Sequence, residues 1–488
     1  MRSDFISNCR ESHRGNKSVV MSFLKSFHNI AAIQDDGTRI FYQELEDFSS
    51  VVAGLLPSRS LVFILCKNVV GSLASYTACI DNKIVPLLLD ASLDQEMYLK
   101  LLNAYKPQYV FMPQNMVGES DTVVFEKFNY SIIKTNFDVA YPLNDDLALL
   151  LTTSGSTGSP KLVRQSYQNI QANASAIMQY LELNDTERPI TTLPMHYSYG
   201  LSIINSHLLV GATILLTSKA LLQKEFWGFF KSEKATSFGG VPYTYEILSK
   251  LRFSRMDLPS LKTMTQAGGK LSLELHKHFA QYSAEKDKRF FVMYGQTEAT
   301  ARMAYLPHEK SLEKCGSIGV AIPGGTLSLI DTEGKEIFDA NVIGELVYRG
   351  LNVTLGYAVC GEDLSKGDER KGVLVTGDMA KRDVDGFFYI VGRKKRFLKI
   401  FGNRVNLDET EQMIKSAFPG LQCACAGIDD NMCIFLTNNE QASKVKAYIV
   451  EKTKLSSSAF KTFIIDDIPK NAAGKTIYAN LVKYYDGV

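Results

Sequence analysis

No stretch of this 488-residue chain approaches the roughly eighteen consecutive apolar residues that a membrane-spanning helix needs. The opening "MRSDFISNCRESHRGNKS" has no apolar core of the kind a secretory leader carries, so a cytoplasmic location is expected. An excess of either charge is also missing. Lys and Arg number 54 and Asp and Glu 52, a net charge of +2 that gives no broad basic field for nucleic acid or an anionic membrane. Neither a nucleic-acid partner nor a membrane span is therefore expected, and partners must be read from sites. Eight cysteines are too sparse for a disulfide scaffold. Three of them fall in "CACAGIDDNMCIFLT", which lacks a CxxC pair and reads as two short strands around a turn. Internal repeats, low-complexity tracts and long linkers are absent as well.

The length itself calls for at least two folding units with sizeable cores. Apolar runs such as "SLVFILC", "IVPLLLD", "LALLLTT" and "FFVMYG" alternate with helical stretches, the rhythm of α/β layers with mostly parallel strands. After about Cys315 the texture becomes β-rich, with "DTEG" and "DVDG" placed as hairpin turns. A third texture begins near Phe397. There the helix "NLDETEQMIKSAF" opens on Asn406 with Glu409 three residues on, in the manner of a capping box. The expected fold is a large α/β N-terminal domain over residues 1–394, with a β-rich subdomain, and a small α+β domain over 395–488.

Five stretches carry chemistry. "LLLTTSGSTGSPKLV" runs from an apolar strand into glycines and hydroxyls and ends at Lys161, which suits an anion held by backbone N–H groups and donors. It is neither a Walker A loop nor a dinucleotide fingerprint, and composition alone also allows a surface turn. "MYGQTEAT" follows an apolar strand and so lies where open α/β sheets bind ligands. Tyr294 can stack on a ring, Thr297 donate to phosphate and Glu298 hold Mg²⁺, or the segment is a turn capped by Thr. Asp378 of "VTGDMA" suits ribose hydroxyls, or a turn. The basic run "GRKKRFLK" has a nucleic-acid reading, and Lys475 of "NAAGKT" is either catalytic or a solvated charge.

In this order and at these spacings, the stretches strongly resemble the adenylate-forming superfamily of acyl- and aryl-CoA synthetases, luciferases and peptide-synthetase adenylation domains. The resemblance covers nearly the whole chain. It implies that the anion is ATP's polyphosphate, with Thr152, Ser154, Ser156, Thr157 and Lys161 on the β- and γ-phosphates. Tyr294 would face adenine, and Gly268 and Gly269 would line the other side of the nucleotide. Thr297 would contact the α-phosphate, Glu298 the Mg²⁺, and Asp378 and Arg393 the ribose. Lys475 would bridge the substrate carboxylate and the α-phosphate. Lys395 matches the hinge of a mobile C-terminal domain, and Gly402 would let a pantetheine arm pass.

The implied activity joins a carboxylic acid to the thiol of CoA or of a carrier protein's phosphopantetheine, through an acyl adenylate. In the segment matching the family's substrate side, "LPMHYSYGLSIINSHLLVGATILL", His196 precedes Tyr197, the reverse of the aromatic-then-His order common in these ligases. No Asp or Glu occurs there to pair with an α-ammonium, which disfavours a standard amino acid. His196, Tyr197, Tyr199 and Ser202 point to a modest, partly polar pocket for a short, hydroxylated or aromatic acid. Two other readings remain at this stage: an adenylating ligase that acylates an amine or hydroxyl, and a catalytically silent nucleotide-binding scaffold.

Overall fold

The computed structural model describes residues 27–138, 140–152, 161–400, 403–471 and 474–485. Among them the strands form five sheets. In the nine-stranded sheet, Arg289–Tyr294, Thr263–Gln266, Ser237–Gly240, Pro189–Ile190, Ile214–Leu216 and Ile30–Gln34 run parallel, with antiparallel strands at both edges. The eight-stranded sheet has a parallel centre of Leu147–Thr152, Val85–Asp90, Leu61–Cys66 and Tyr109–Pro113. These centres are buried on both faces, which is why their sequences are continuous apolar runs rather than alternating ones. Leu149 and Leu150 are both wholly enclosed, each stabilising the sheet by roughly 1.5–3 kcal/mol.

A four-stranded antiparallel sheet follows, made of Gly325–Ile330, Ile343–Gly350, Val373–Arg382 and Phe388–Arg393. Both hairpin turns expected from the sequence are present: Gly334 and Gly386 have φ of 82° and 87°, after the strands ending at Ile330 and Arg382. The chain from Leu398 to Leu481 has cores of its own, with helices against the sheet Cys423–Ile428, Asn431–Leu436 and Phe460–Ile464. Asn406 caps the helix Leu407–Ala417 by accepting from the N–H groups of Asp408 and Glu409. The capping box is incomplete, because Glu409 returns no bond to the cap.

Cys423, Cys425 and Cys433 lie on paired strands and are buried. The described residues hold no cluster able to bind a metal through three or more His, Cys, Asp or Glu side chains. Seven cysteines are described and none is paired. Among the described residues, no helix is long and apolar enough to cross a membrane.

Candidate active site

The strand Arg289–Tyr294 delivers the "GQTEAT" segment to the end of the parallel sheet, and the backbone there turns back on itself. A Cβ on Gly295 would fall 1.7 Å from the Ala301 carbonyl oxygen, so only glycine fits. Thr300 is held at φ 67°, an unusual conformation for a β-branched residue, and its hydroxyl donates to the Asn352 carbonyl over 2.7 Å. Asn352 in turn donates from Nδ2 to the carbonyls of Ala299 and Arg302. The loop bearing Thr297 and Glu298 is thereby pinned from a distant part of the chain.

Glu298 accepts at Oε1 from the Tyr357 hydroxyl, 2.8 Å away. The Tyr357 ring meets two cations: Lys161 Nζ is 3.5 Å from its centroid and the Arg370 guanidinium 4.6 Å. Arg370 also donates to the Glu298 carbonyl. Tyr357 is itself anchored by the fully buried Arg164, which donates to its carbonyl and pairs with Glu369 at 2.6 Å. So Lys161, at the far end of the hydroxyl-rich loop, and Glu298 share one aromatic neighbour. Thr152 ends the strand on the other side of that loop, opposite Leu162. Ser154, Ser156 and Thr157 lie outside the described residues, as does Gly402.

Asp378 is 4% exposed and heavily engaged. Its Oδ2 accepts from the Tyr294 hydroxyl at 2.5 Å and from Gln296 Nε2 at 3.0 Å, and its Oδ1 pairs with Arg393 Nε at 3.3 Å. Asp378 and Arg393 are register partners on neighbouring strands, which brings them together without any long loop. Burial, and the Asp378 carboxylate beside it, push the Tyr294 phenol well above its ordinary range.

Lys475 comes from the end of the chain. Its backbone is set by a tight turn in which Asn471 Oδ1 accepts from the Lys475 N–H and Asn471 N–H donates to the Lys475 carbonyl. Gly474, at φ 73°, rests against Tyr243 of the parallel-sheet region. Lys475 lies within electrostatic reach of Arg393, Asp378 and Glu298. Burial pushes its ammonium pKa down, Arg393 adds to that, and the two carboxylates oppose it.

Of the residues expected to contact the acid, Tyr197 and Tyr199 meet edge-on at 6.3 Å. The Tyr199 hydroxyl is hydrogen-bonded to Thr265 Oγ1, and Ser202 Oγ donates to the Tyr199 carbonyl. A Cβ on Gly268 would lie 2.6 Å from the Tyr197 hydroxyl, so this glycine lets Tyr197 approach the wall expected for the nucleotide. Gly269 packs on Pro242. His196 faces the other way, toward Asp90 at 3.7 Å. Its pKa is lowered by burial, with Asp90 opposing. Thr297 Oγ1 lies 3.1 Å from Ser198 Oγ, which links the "TEAT" loop to the helix Ser198–Leu208. Lys395 lies in the 3₁₀ turn Lys394–Arg396, immediately before the strand Phe397–Ile400.

Sequence reading passed over Gln296, Tyr357, Arg370, Asn352 and Arg302. Gln296 stood inside a quoted motif and was legible as a donor; the others are single residues whose partners are distant in the chain.

The AMP-binding enzyme family profile matches residues 22–358. A probable CoA ligase of Humulus lupulus is 30% identical over 369 residues, 71% of this chain and 65% of its own length. A 2-succinylbenzoate–CoA ligase of Bacillus pumilus is 27% identical over 355 residues, 71% of this chain and 70% of its own. The chain thus spans about two thirds of the length of these relatives. Among solved structures, O-succinylbenzoate coenzyme A synthetase from Bacillus subtilis in complex with AMP superposes with a TM-score of 0.75 at 22% identity, over 93% of this chain and 95% of that one. That likeness is one of fold.

Proposed function

The chain belongs to the AMP-binding enzyme family, and from that premise we propose that it is an AMP-forming acid–thiol ligase. It activates a carboxylic acid with ATP, releases pyrophosphate, and passes the acyl group to the thiol of CoA or of a carrier protein's phosphopantetheine. The observation that carries this reading is that Lys475, near the end of the chain, lies within electrostatic reach of both Asp378 and Glu298, three charged groups from separate segments.

In the first half-reaction a carboxylate oxygen attacks the α-phosphorus. The new P–O bond forms as the bond to pyrophosphate breaks, and the electron pair leaves with pyrophosphate. Two anions must approach, so donors and cations are needed where charge develops. Lys475 fits the bridging role between carboxylate and α-phosphate, and Thr297 that of an α-phosphate donor. Asp378, oriented by Tyr294, Gln296 and Arg393, suits the ribose hydroxyls. Thr152 and Lys161, with Ser154, Ser156 and Thr157, suit the departing phosphates.

Glu298 fits Mg²⁺ as a single ligand. Its Oε1 is oriented by Tyr357, its Oε2 has no partner among the described residues, and Mg²⁺ commonly takes one or two carboxylates plus phosphates and water. When bound, Mg²⁺ supplies charge neutralisation across the polyphosphate.

In the second half-reaction the thiolate attacks the acyl carbon and AMP leaves. We assign residues 1–394 to the nucleotide and acid, 395–488 to a mobile domain hinged at Lys395, and Gly402 to the path of the pantetheine arm. The cytoplasm, where ATP and CoA are abundant, suits the reaction. Acid-dependent ATP–pyrophosphate exchange, across aliphatic, aromatic, hydroxy and amino acids, tests it. Exchange with at least one acid, followed by AMP release on adding CoA or a phosphopantetheinyl carrier, is the expected result; ATP binding without any exchange returns the chain to the scaffold reading. Exchange followed by acylation of an amine or hydroxyl instead of a thiol selects the third.

A further inference from the structure

Arg302 is 2% exposed, yet no acidic side chain pairs with it among the described residues. Its Nε donates to Ser202 Oγ at 3.1 Å, and its Nη1 to the Tyr180 hydroxyl at 2.9 Å and to Met293 Sδ at 3.3 Å. The guanidinium lies 5.2 Å from the Tyr199 ring centroid. Nη2 has no hydrogen-bond partner among the described residues. The titratable groups around it are the phenols of Tyr180 and Tyr199, which burial holds in their neutral form, and His207, a second basic group that Arg302 repels. From Leu193 to Leu216 the chain contains no Asp or Glu.

A guanidinium keeps its charge in a protein, and an isolated charge in a low-dielectric interior is strongly unfavourable unless something answers it. Neutral hydroxyls and a thioether satisfy part of the donor fork and none of the charge. The position of Arg302 says where the answer comes from. A line of contacts runs from Gly268 to Tyr197, from Tyr197 to Tyr199, and from Tyr199 to Arg302. Thr297, the α-phosphate candidate, is on the same loop as Arg302. Arg302 therefore stands behind the tyrosine pair, at the end of the acid side farther from the nucleotide wall.

We propose that Arg302 receives a second carboxylate on the substrate, so that the acid activated is a dicarboxylic acid, adenylated at one end and held at the other. This rests on the acid–thiol ligase reading. A carboxylate offers both an acceptor for Nη2 and the missing negative charge, whereas a neutral carbonyl offers the acceptor alone.

The test compares malonate, succinate, glutarate, adipate and phthalate with the monomethyl ester of each in ATP–pyrophosphate exchange. The ester keeps the carbonyl acceptor, adds one methyl group and removes one charge. The expected result is that the best diacid exceeds its own ester on the order of 10–100-fold in kcat/KM, and that Arg302→Met abolishes this preference while ATP still raises the melting temperature of the variant. If Arg302→Met does not fold, the wild-type ratio decides alone. Exchange that favours esters or simple monocarboxylic acids, or a preference that survives in a folded Arg302→Met, overturns the assignment and leaves the ligase standing. No exchange with any acid overturns both.

Discussion

The Tyr294 hydroxyl donates to Asp378 Oδ2 across 2.5 Å, tying the end of a parallel strand to the antiparallel sheet that follows it. The nucleotide candidates on the two sheets are thus one unit. Tyr294→Phe keeps the ring and removes the donor, and is expected to weaken ATP binding by about 1 kcal/mol, roughly 5-fold in Kd. Asp378→Ala, which removes the proposed ribose acceptor and the partner of Arg393, is expected to weaken it on the order of 10–100-fold. Titration calorimetry with ATP reads both. Equal, unchanged affinities would remove Asp378 from the ribose.

The Tyr357 hydroxyl orients Glu298, so if Glu298 holds Mg²⁺ as proposed, losing that hydroxyl affects the metal and not the acid. Tyr357→Phe is expected to raise the Mg²⁺ concentration for half-maximal exchange about 5-fold with the acid KM unchanged. Glu298→Ala should raise it further and depress turnover. A Tyr357→Phe enzyme with a normal Mg²⁺ curve would mean that Glu298 is not a ligand.

The bridging role proposed for Lys475 requires its charged form, and burial lowers its pKa. Its charge is lost as pH rises, so kcat/KM for adenylation is expected to fall on an alkaline limb below pH 10.5 that thiolysis of a supplied acyl adenylate does not show. Lys475→Arg should flatten that limb. Lys475→Ala should slow adenylation by roughly 10²–10³-fold, the value of one preorganised donor, and spare thiolysis. Lys395→Pro should do the reverse by stiffening the proposed hinge. Half-reaction assays that find both steps lost together in either variant argue against a moving domain.

His276 and His207 are buried with pKa values pushed down to about 4, chiefly by burial. His276 accepts from the Gly316 N–H at Nδ1 and faces Ser311 Oγ with Nε2, a pattern that needs the neutral ring. The unfolded chain, titrating near 6.5, binds more protons between pH 6.5 and 4, so stability falls as pH falls through that window. The loss by pH 5 is about 2 kcal/mol for each ring. Urea midpoints at pH 7 and 5 measure it, and His276→Gln should reduce the decline by one such step.

What the sequence showed depended on how far apart the cooperating residues are. Strands buried on both faces declared themselves as apolar runs, and the "TEAT" and hydroxyl-rich segments carry several functional groups within a few residues. Asp378 and Arg393 were both named, and strand register supplies the reason they meet. Tyr357, Arg370 and Asn352 were invisible, because each acts through a partner more than fifty residues away: the separations from Glu298 and Ala299 are 59, 72 and 53. Arg302 sat in plain view beside a motif, but only burial shows that its charge is unanswered. The His196–Tyr197 inversion was seen, though not that His196 turns toward Asp90.

The seven described cysteines acquire a meaning from the product of the proposed first half-reaction. A mixed anhydride of acid and phosphate acylates whatever thiolate reaches it, the enzyme's own included. Burial raises the thiols of Cys66, Cys79, Cys423, Cys425, Cys433 and Cys315, and the Glu362 carboxylate raises that of Cys360. Every one is held toward its unreactive, protonated form. Burial at six sites and the Glu362 carboxylate at Cys360 thus keep these seven thiols from competing with the acceptor, and a lysate-free preparation given acid and ATP without an acceptor should accumulate bound adenylate with none of these seven acylated.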